Sequence, residues 1–464
     1  MAEQGTYDAI IVGTGQGGKP LAGALAGAGY ATAVIEKNDR VGGTCVLTGC
    51  TPTKTMIASA RVAHLARRAS DYGVATGEVA VDMEVVRARK RNMVADWVEG
   101  SRKGLERHDG LDLIHGTARF TGPRTMEVVD GAGAVTHRLA ADRIFLNVGA
   151  RPSIPTIDGL EEVDYLTHES VLELGHAPEH LVVLGGGFTG LELGQMYRRF
   201  GSDVTIVESG PRIAGREDPD IADALTEILR EEGLAIRTGA RAVRARQSEG
   251  VVELTLDTGD GESVVAGSHL LVAAGRTSNA DLLNLEAAGL ETDERGNIPA
   301  DERRRTAVEG IWALGDVTGA PPFTHVSYDD YRVIEDALLG EGQLTTRGRV
   351  LTYTVFTDPQ LGRVGLTEKE AREQGYDVRV ATLPMTRVAR AMETDETRGL
   401  MKAVVDGETR KILGAAILGI EGGEIASALK IAMLGGLPYT ALRDAVLPHP
   451  TMAESLNNLF MTLD

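Results

Sequence analysis

The feature that most constrains this chain is a β-α-β unit written twice. The first copy, YDAIIVGTGQGGKPLAGALAGAGYATAVIEK, opens with a β-branched apolar run from Ala9 to Val12. Gly13, Gly15 and Gly18 follow at G-x-G-x-x-G spacing, then an Ala/Leu stretch of helical character and a second apolar run, Ala31 to Ile35, ending at Glu36. The second copy, HLVVLGGGFTGLELGQMYRRFGSDVTIVES, repeats the order with Gly185, Gly187, Gly190 and Glu208. The interval from first glycine to acid is identical in the two. In such a unit the first glycine makes the tight turn, the second lets backbone approach a pyrophosphate, and the third lets helix pack on strand. The helix N-terminus then faces the phosphates, and the acid accepts hydrogen bonds from a ribose. Two such units predict two bound dinucleotides, and electron transfer between them is the simplest reason to hold both.

Other punctuation fits this plan. RIFLNVGARPS, with Gly149, and HLLVAAGRTSN, with Gly275, are strand–glycine–arginine segments of the kind at which a chain leaves one domain for another. GIWALGDVTG ends an apolar run in Gly315-Asp316, and an acid at the end of a buried strand suits a polyhydroxyl chain. After about Arg347 the pattern becomes alternating strands and short helices without a nucleotide signature, an α+β unit suited to dimerisation. The expected fold is α/β: two Rossmann-like domains and a C-terminal α+β dimerisation domain. The expected boundaries are 1–152 and 276–345 for the first nucleotide domain, 153–275 for the second and 346–464 for the interface domain. The charged run Asp301 to Arg305 reads as a solvated turn.

With 464 residues, a formal charge of −19 and no apolar run of the ~18 residues a membrane span needs, neither nucleic acid nor membrane is an expected partner. A cytoplasmic location is the expectation. The two cysteines, Cys45 and Cys50, sit in VGGTCVLTGCTPTKTM. Two buried small hydrophobes or half a zinc site are the bland alternatives, but no second ligand pair accompanies them, so a redox-active pair leads and no metal site is expected. Lys54 follows Cys50 by one helical turn, and a helix starting here directs its positive end at the sulfurs, favouring thiolate. On one ideal helix, positions five apart are too distant to bridge, so a Cys45–Cys50 disulfide requires distortion, with Gly49 and Pro52 available for relief.

Together the G-x-G-x-x-G, GGTCxxxGC, second GxGxxGxE, Gly-Asp and terminal HPTxxE motifs resemble the FAD-dependent pyridine nucleotide–disulfide oxidoreductases, the group of glutathione reductase, dihydrolipoamide dehydrogenase and mercuric reductase, over nearly the whole chain. The resemblance implies that Gly13, Gly15, Gly18, Glu36, Lys54, Gly149 and Asp316 serve FAD, and that Gly185, Gly187, Gly190, Glu208 and Gly275 serve the nicotinamide nucleotide. The Glu208 carboxylate, which accepts from ribose hydroxyls and repels a 2′-phosphate, favours NADH, with NADPH tolerated, whereas Arg212 and Arg216 are the residues that could instead fold over that phosphate. It implies that Cys50 is the flavin-proximal, charge-transfer thiol and Cys45 the exchange thiol. Lys54 and Glu192 would pair beside the flavin, and His449, oriented by Glu454, would be the acid–base, reaching the site of the other subunit of a homodimer with shared active sites. The expected activity is transfer of electrons from NAD(P)H through FAD and the Cys45–Cys50 disulfide to a small disulfide or dithiol. The alternatives are a Cu(II) or Hg(II) ion reductase and the dihydrolipoamide dehydrogenase component of a multienzyme complex. Phe188 replaces the tyrosine usual over the nicotinamide, and no cysteines match the C-terminal vicinal pair of mercuric reductases. PTKT after Cys50 and the ending HPTMAESLNNLF most resemble the reactive-chlorine-resistance flavoenzymes, which are linked to copper(II) reduction.

Overall fold

A computed structural model describes residues 2–463. The chain divides into two compact units. The first holds the chain as far as Thr55, then Val85–Ser153 and Gly275–Gly348; the second holds Met56–Glu84, Ile154–Ala274 and the chain from Arg349 onward.

The first unit is built on one sheet. Its parallel strands run in the order Leu111–His115, Thr32–Glu36, Glu3–Val12, Val135–Leu146 and Ile311–Ala313; Thr125–Val129 and Thr117–Gly122 extend it antiparallel. The central strand is apolar on both faces. Ile10 and Val12 pack with Ile35, Phe120 and Leu146 on one side, whereas Ala9 and Ile11 pack with Leu21, Leu25 and Phe145 on the other. A strand buried on both sides reads as a continuous apolar run, which is how it looked in the sequence. Register decides where function sits. Val12 pairs with Ile35 and with Leu146, and Leu146 with Ala313, so the strand ends are level. Gly13, Glu36, Asn147 and the Gly315-Asp316 turn therefore emerge on one carboxyl edge, where open parallel sheets bind ligands.

The second unit contains three sheets. Ala235–Arg237, Asp203–Val207, His180–Leu184 and His269–Val272 form a parallel sheet, again with level ends, since Leu184 pairs with both Val207 and Val272. Arg241–Ser248, Val251–Asp257 and Glu262–Gly267 form an antiparallel three-stranded sheet. Thr352–Val355, Gln360–Gly365, Ile412–Gly419, Leu400–Asp406 and Val378–Pro384 form an antiparallel five-stranded sheet, against which helix Gly422–Leu434 packs. Segments Ala150–Pro152 and Arg276–Ser278, expected as crossings, lie side by side as an antiparallel pair within the first unit.

The Asp301–Arg305 run corrects one expectation. Asp301 makes the turn, accepting from the Arg303 and Arg305 amides at 2.9 Å. Arg304 is not solvated: its side chain is 11% exposed and its Nη1 stands 3.8 Å from fully buried Asp330. A buried carboxylate draws in a cation that periodicity alone assigns to solvent.

The second unit also buries an ionic cluster. Arg199, 5% exposed, reaches Glu232 at 2.7 Å and Asp358 at 2.6 Å, and Arg398 reaches Glu232 at 2.6 Å. Burial opposes ionisation of Glu232 and Asp358, and Arg199 overrides it, holding both below the usual carboxylate range. His64 faces the same group with a buried Nε2 that has no hydrogen-bond partner, and burial together with Arg199 lowers its pKa from 6.5 to about 4. The unfolded chain therefore takes up a proton at His64 before the folded chain does, and stability from this group is lost as pH falls from 6.5 towards 4. His64→Gln is expected to lose less stability than the parent between about pH 7 and about pH 5, read from urea midpoints. Equal losses in both proteins would remove His64 from the account.

Candidate active site

Each glycine turn is closed by its own backbone. Gly13 has φ +101°, and a Cβ on Gly18 would stand 2.2 Å from the Gly13 carbonyl oxygen; in the second unit a Cβ on Gly190 would stand 2.1 Å from that of Gly185. The helices that follow, Gly18–Gly27 and Phe188–Phe200, carry no acid in the first turn and so present unopposed positive ends. Gly15 and Gly187 are the middle glycines of these turns.

The two acids are clasped by their loops. Glu36, 5% exposed, accepts from Thr14 N at 3.1 Å, Thr14 Oγ1 at 2.6 Å, and Asn38 N and Nδ2 at 3.0 Å each. Those four bonds fill its roughly four acceptor directions, so a ribose hydroxyl would exchange with one of them, the exposed Asn38 being the accessible one. Glu208 accepts from Gly186 N at 2.8 Å, Gly210 N at 2.6 Å and Ser209 Oγ at 3.2 Å, which leaves one direction open. Arg212 is tied to Asp223 at 2.8 Å and Arg216 is exposed.

At the same edge of the first unit, Asp316 stands 3.3 Å from Arg276, and burial raises its pKa. Arg276 Nε is buried without a hydrogen-bond partner, while its Nη2 donates to Ala150 O at 2.7 Å. Gly149 and Gly275 flank this pair with φ of +65° and +118°.

The cysteines lie on two helices. Gly43–Leu47 ends at Thr48, both Thr48 N and Gly49 N donate to Thr44 O, and a new helix, Cys50–Arg67, begins at Cys50. The break at Thr48-Gly49 supplies the required distortion. Pro52 falls in the first turn of the new helix, where its missing donor costs nothing. Cys45 is half-buried and Cys50 exposed. Cys50 Sγ lies 3.2 Å from Thr324 Oγ1, and Thr324 opens helix Thr324–Leu339, so two helix N-termini meet at this sulfur. The hydrogen bond to Cys50, then burial, push the Cys45 thiol up; Thr324 and Lys19 oppose the rise. The proton of the pair is thus held more firmly on Cys45. Lys54 lies one turn further along, half-buried.

In the second unit, buried Glu192 accepts from Phe356 N at 2.7 Å, and Phe188 packs on Tyr353 with centroids 5.3 Å apart. His449, its side chain 67% exposed, meets both Glu454 oxygens through Nδ1, at 3.0 and 2.8 Å. A carboxylate only accepts, so Nδ1 donates and Nε2 is the atom left to exchange protons. The Glu454 amide donates to Thr451 Oγ1 at 3.2 Å, which holds the backbone that carries the carboxylate.

Residues 7–330 match the family model described as pyridine nucleotide-disulphide oxidoreductase, and residues 351–460 match its dimerisation domain. The chain belongs to the pyridine nucleotide-disulphide oxidoreductases. It is 39% identical over 459 residues, 98% of each chain, to a probable pyridine nucleotide-disulfide oxidoreductase, RclA, of Escherichia coli. It is 38% identical to a mercuric reductase of Streptomyces lividans, covering 97% of this chain and 94% of that one. It is 34% identical to a dihydrolipoyl dehydrogenase of Thermus scotoductus, covering 97% and 96%. Among solved structures, a Cu(II) complex of the HOCl-induced flavoprotein disulfide reductase RclA from Escherichia coli superposes with a TM-score of 0.90 at 37% identity over the whole of both chains.

As in the family, this is an NAD(P)H-dependent flavoprotein disulfide reductase with a dimerisation domain. The first unit's carboxyl edge fits FAD: it offers a glycine turn with an unopposed helix end, carboxylates for hydroxyls, and the unpartnered Arg276 Nε beside Asp316. Among the described residues no cluster of three or more His, Cys, Asp or Glu forms a metal site, and no helix is long and apolar enough to cross a membrane. Three residues the sequence did not single out complete the first unit's edge. Thr14 links Glu36 to Gly42, whose amide donates to Thr14 Oγ1. Asn147 accepts from Gly18 N at 2.8 Å and donates to Leu314 O at 2.9 Å. Thr324 meets Cys50. Of these only Asn147 left a signal, as the lone polar residue ending IFLN.

Proposed function

We propose that this protein passes electrons from NADH to a small disulfide through Cys45 and Cys50, and does so as a homodimer with shared active sites. Residues 1–152 and 276–345 are assigned to FAD, 153–275 to the nicotinamide nucleotide and 346–464 to the dimer. The observation that carries the reading is the asymmetric thiol pair: Cys50 at two helix N-termini, Cys45 with its pKa raised beside it. Bound FAD supplies hydride acceptance from the nicotinamide and delivery of the electron pair to the disulfide. The chain's own residues do the rest. His449 of the partner subunit takes the proton of Cys45, the Cys45 thiolate attacks one sulfur of the substrate disulfide, the substrate S–S bond breaks, and the departing thiolate takes that proton back from the imidazolium. Cys50 thiolate then attacks Cys45 of the mixed disulfide, restoring the Cys45–Cys50 bond and releasing the second substrate sulfur as a thiolate, which takes its proton from solvent. Turnover of purified protein with NADH against lipoamide and oxidised glutathione tests this; no turnover with either would sink the disulfide substrate.

A second reading, Cu(II) reduction, rests on one observation: the RclA of Escherichia coli, alike over the full chain, is described as a Cu(II) complex. Two thiols are soft donors suited to copper. Cu(II) in the same assay panel separates the readings.

NADH is the proposed donor because Glu208 keeps one acceptor direction for a ribose hydroxyl, a carboxylate repels a 2′-phosphate, and Arg212 is already paired with Asp223. NADPH use is tolerated. Glu208→Ala is expected to lower kcat/KM for NADH about tenfold, some 1.4 kcal/mol, and to narrow its lead over NADPH. Because Glu208 also clasps the loop, a structural loss alone would lower both nucleotides together. A tenfold preference of the parent for NADPH would show instead that the arginines reach a phosphate.

A further inference from the structure

We propose that Lys19 is the cation that supports the Cys45 thiolate during thiol–disulfide exchange. The proposal rests on the reading of Cys45 as exchange thiol. Lys19 comes directly after the glycine turn, in the first turn of helix Gly18–Gly27, and its amide donates to Gly15 O at 3.0 Å. That bond closes a turn between the two, so Lys19 lies on the side of Gly15. That side meets the Cys45 helix: a Cβ on Gly43 would stand 2.6 Å from Gly15 Cα, and Gln16 Nε2 reaches Gly42 O at 3.3 Å. Gly43 opens the helix on which Cys45 stands two residues later. All these residues belong to the first unit.

The ammonium is held inward. Lys19 Nζ donates to Ser101 Oγ at 2.9 Å, and Ser101 is 6% exposed. Burial lowers the Lys19 pKa, and Cys45 is the charge that opposes the fall; reciprocally, Lys19 opposes the rise at Cys45. The chemistry has a use for such a cation. Cys50 and burial push the Cys45 thiol up, yet only the thiolate attacks a disulfide. In the step itself Cys45 sulfur forms a bond to one substrate sulfur, the substrate S–S bond breaks, and its electron pair leaves on the second substrate sulfur. Lys19 stays protonated throughout; it acts by its charge.

The test uses full-length, FAD-loaded protein with Cys50→Ser, which leaves Cys45 as the one remaining cysteine of two. The rate of iodoacetamide alkylation is followed against pH. Adding Lys19→Met is expected to move the midpoint up by about one pH unit, roughly tenfold less thiolate at neutral pH. Lys19→Arg, which keeps the charge, should return the midpoint close to the parent's. Lys19→Gln, which can still bond Ser101, carries the comparison where Lys19→Met does not fold. An unchanged midpoint in the neutral variants overturns the proposal. So does loss of FAD in Lys19→Met and Lys19→Gln but not in Lys19→Arg, which would make Lys19 a phosphate anchor. Limiting iodoacetamide on the reduced protein with both cysteines, followed by peptide mapping, checks the underlying reading separately. Label on Cys50 would move the exchange role there while leaving any Lys19-dependent midpoint shift in place.

Discussion

Cys50→Ser is expected to abolish the long-wavelength thiolate-to-flavin absorption band of the reduced enzyme, whereas Cys45→Ser is expected to show that band before any reductant is added. The two substitutions remove sulfurs in different surroundings. Cys50 opens a helix, lies 3.2 Å from the hydroxyl of Thr324 at the start of another, and is followed one turn later by Lys54. Each favours negative charge on its sulfur. Without Cys45 no disulfide forms, so the Cys50 sulfur stays reduced in surroundings that favour its thiolate. Cys45, pushed up by its hydrogen bond to Cys50 and by burial, keeps the proton of the reduced pair. Either change should lower turnover with a disulfide substrate by on the order of 10³-fold or more, because each removes a sulfur that must form a bond. The band separates the roles where turnover does not. A band lost in Cys45→Ser and kept in Cys50→Ser would exchange the two assignments.

What could be read from the sequence was local and periodic. Ala9–Val12 and Leu181–Leu184 announced buried parallel strands because both faces are covered, and the glycines announced the turns because backbone there leaves no room for a Cβ. Equal spacing to Glu36 and Glu208 then located both carboxyl edges. The acids' first task was not legible. Each is named by the motif as a ribose partner, but each carboxylate also gathers amide donors of its own turn, and which donors it gathers depends on loop paths. The break between the cysteine helices was half-legible. Gly49 and Pro52 signalled relief, and relief occurs at Thr48-Gly49, but Pro52 sits in the first turn of a second helix rather than bending a single one. Least legible were contacts between residues far apart in the chain. Thr324 meets Cys50, Asn147 meets Gly18, and Arg199 gathers Glu232 and Asp358. None of these has a period or a spacing, because tertiary packing alone brings them together.

His449→Ala is expected to lower kcat with a disulfide substrate by about 10²- to 10⁴-fold, the range lost with a positioned acid–base group, while reduction of the flavin by NADH proceeds at the parent rate. The separation follows from where His449 acts. Its Nδ1 donates to Glu454, whose backbone is held by Thr451, so Nε2 is free to protonate a departing thiolate. Nothing in that arrangement touches the glycine turn at Gly185 or the clasp of Glu208. Glu454→Gln should cost less than His449→Ala, since an amide oxygen can still accept from Nδ1 but no longer stabilises the imidazolium. The side chain of His449 is 67% exposed on its own chain, and both residues fall within the match to the dimerisation domain, which suits a histidine that completes the site of a second copy. Mixing tests that directly. In a heterodimer of a Cys45→Ser subunit and a His449→Ala subunit, one site combines intact cysteines with an intact histidine and the other has neither. Reassociated mixtures should therefore regain activity that neither parent variant shows. Verified heterodimers without activity would place His449 in the site of its own chain, and an active monomer would exclude the shared site.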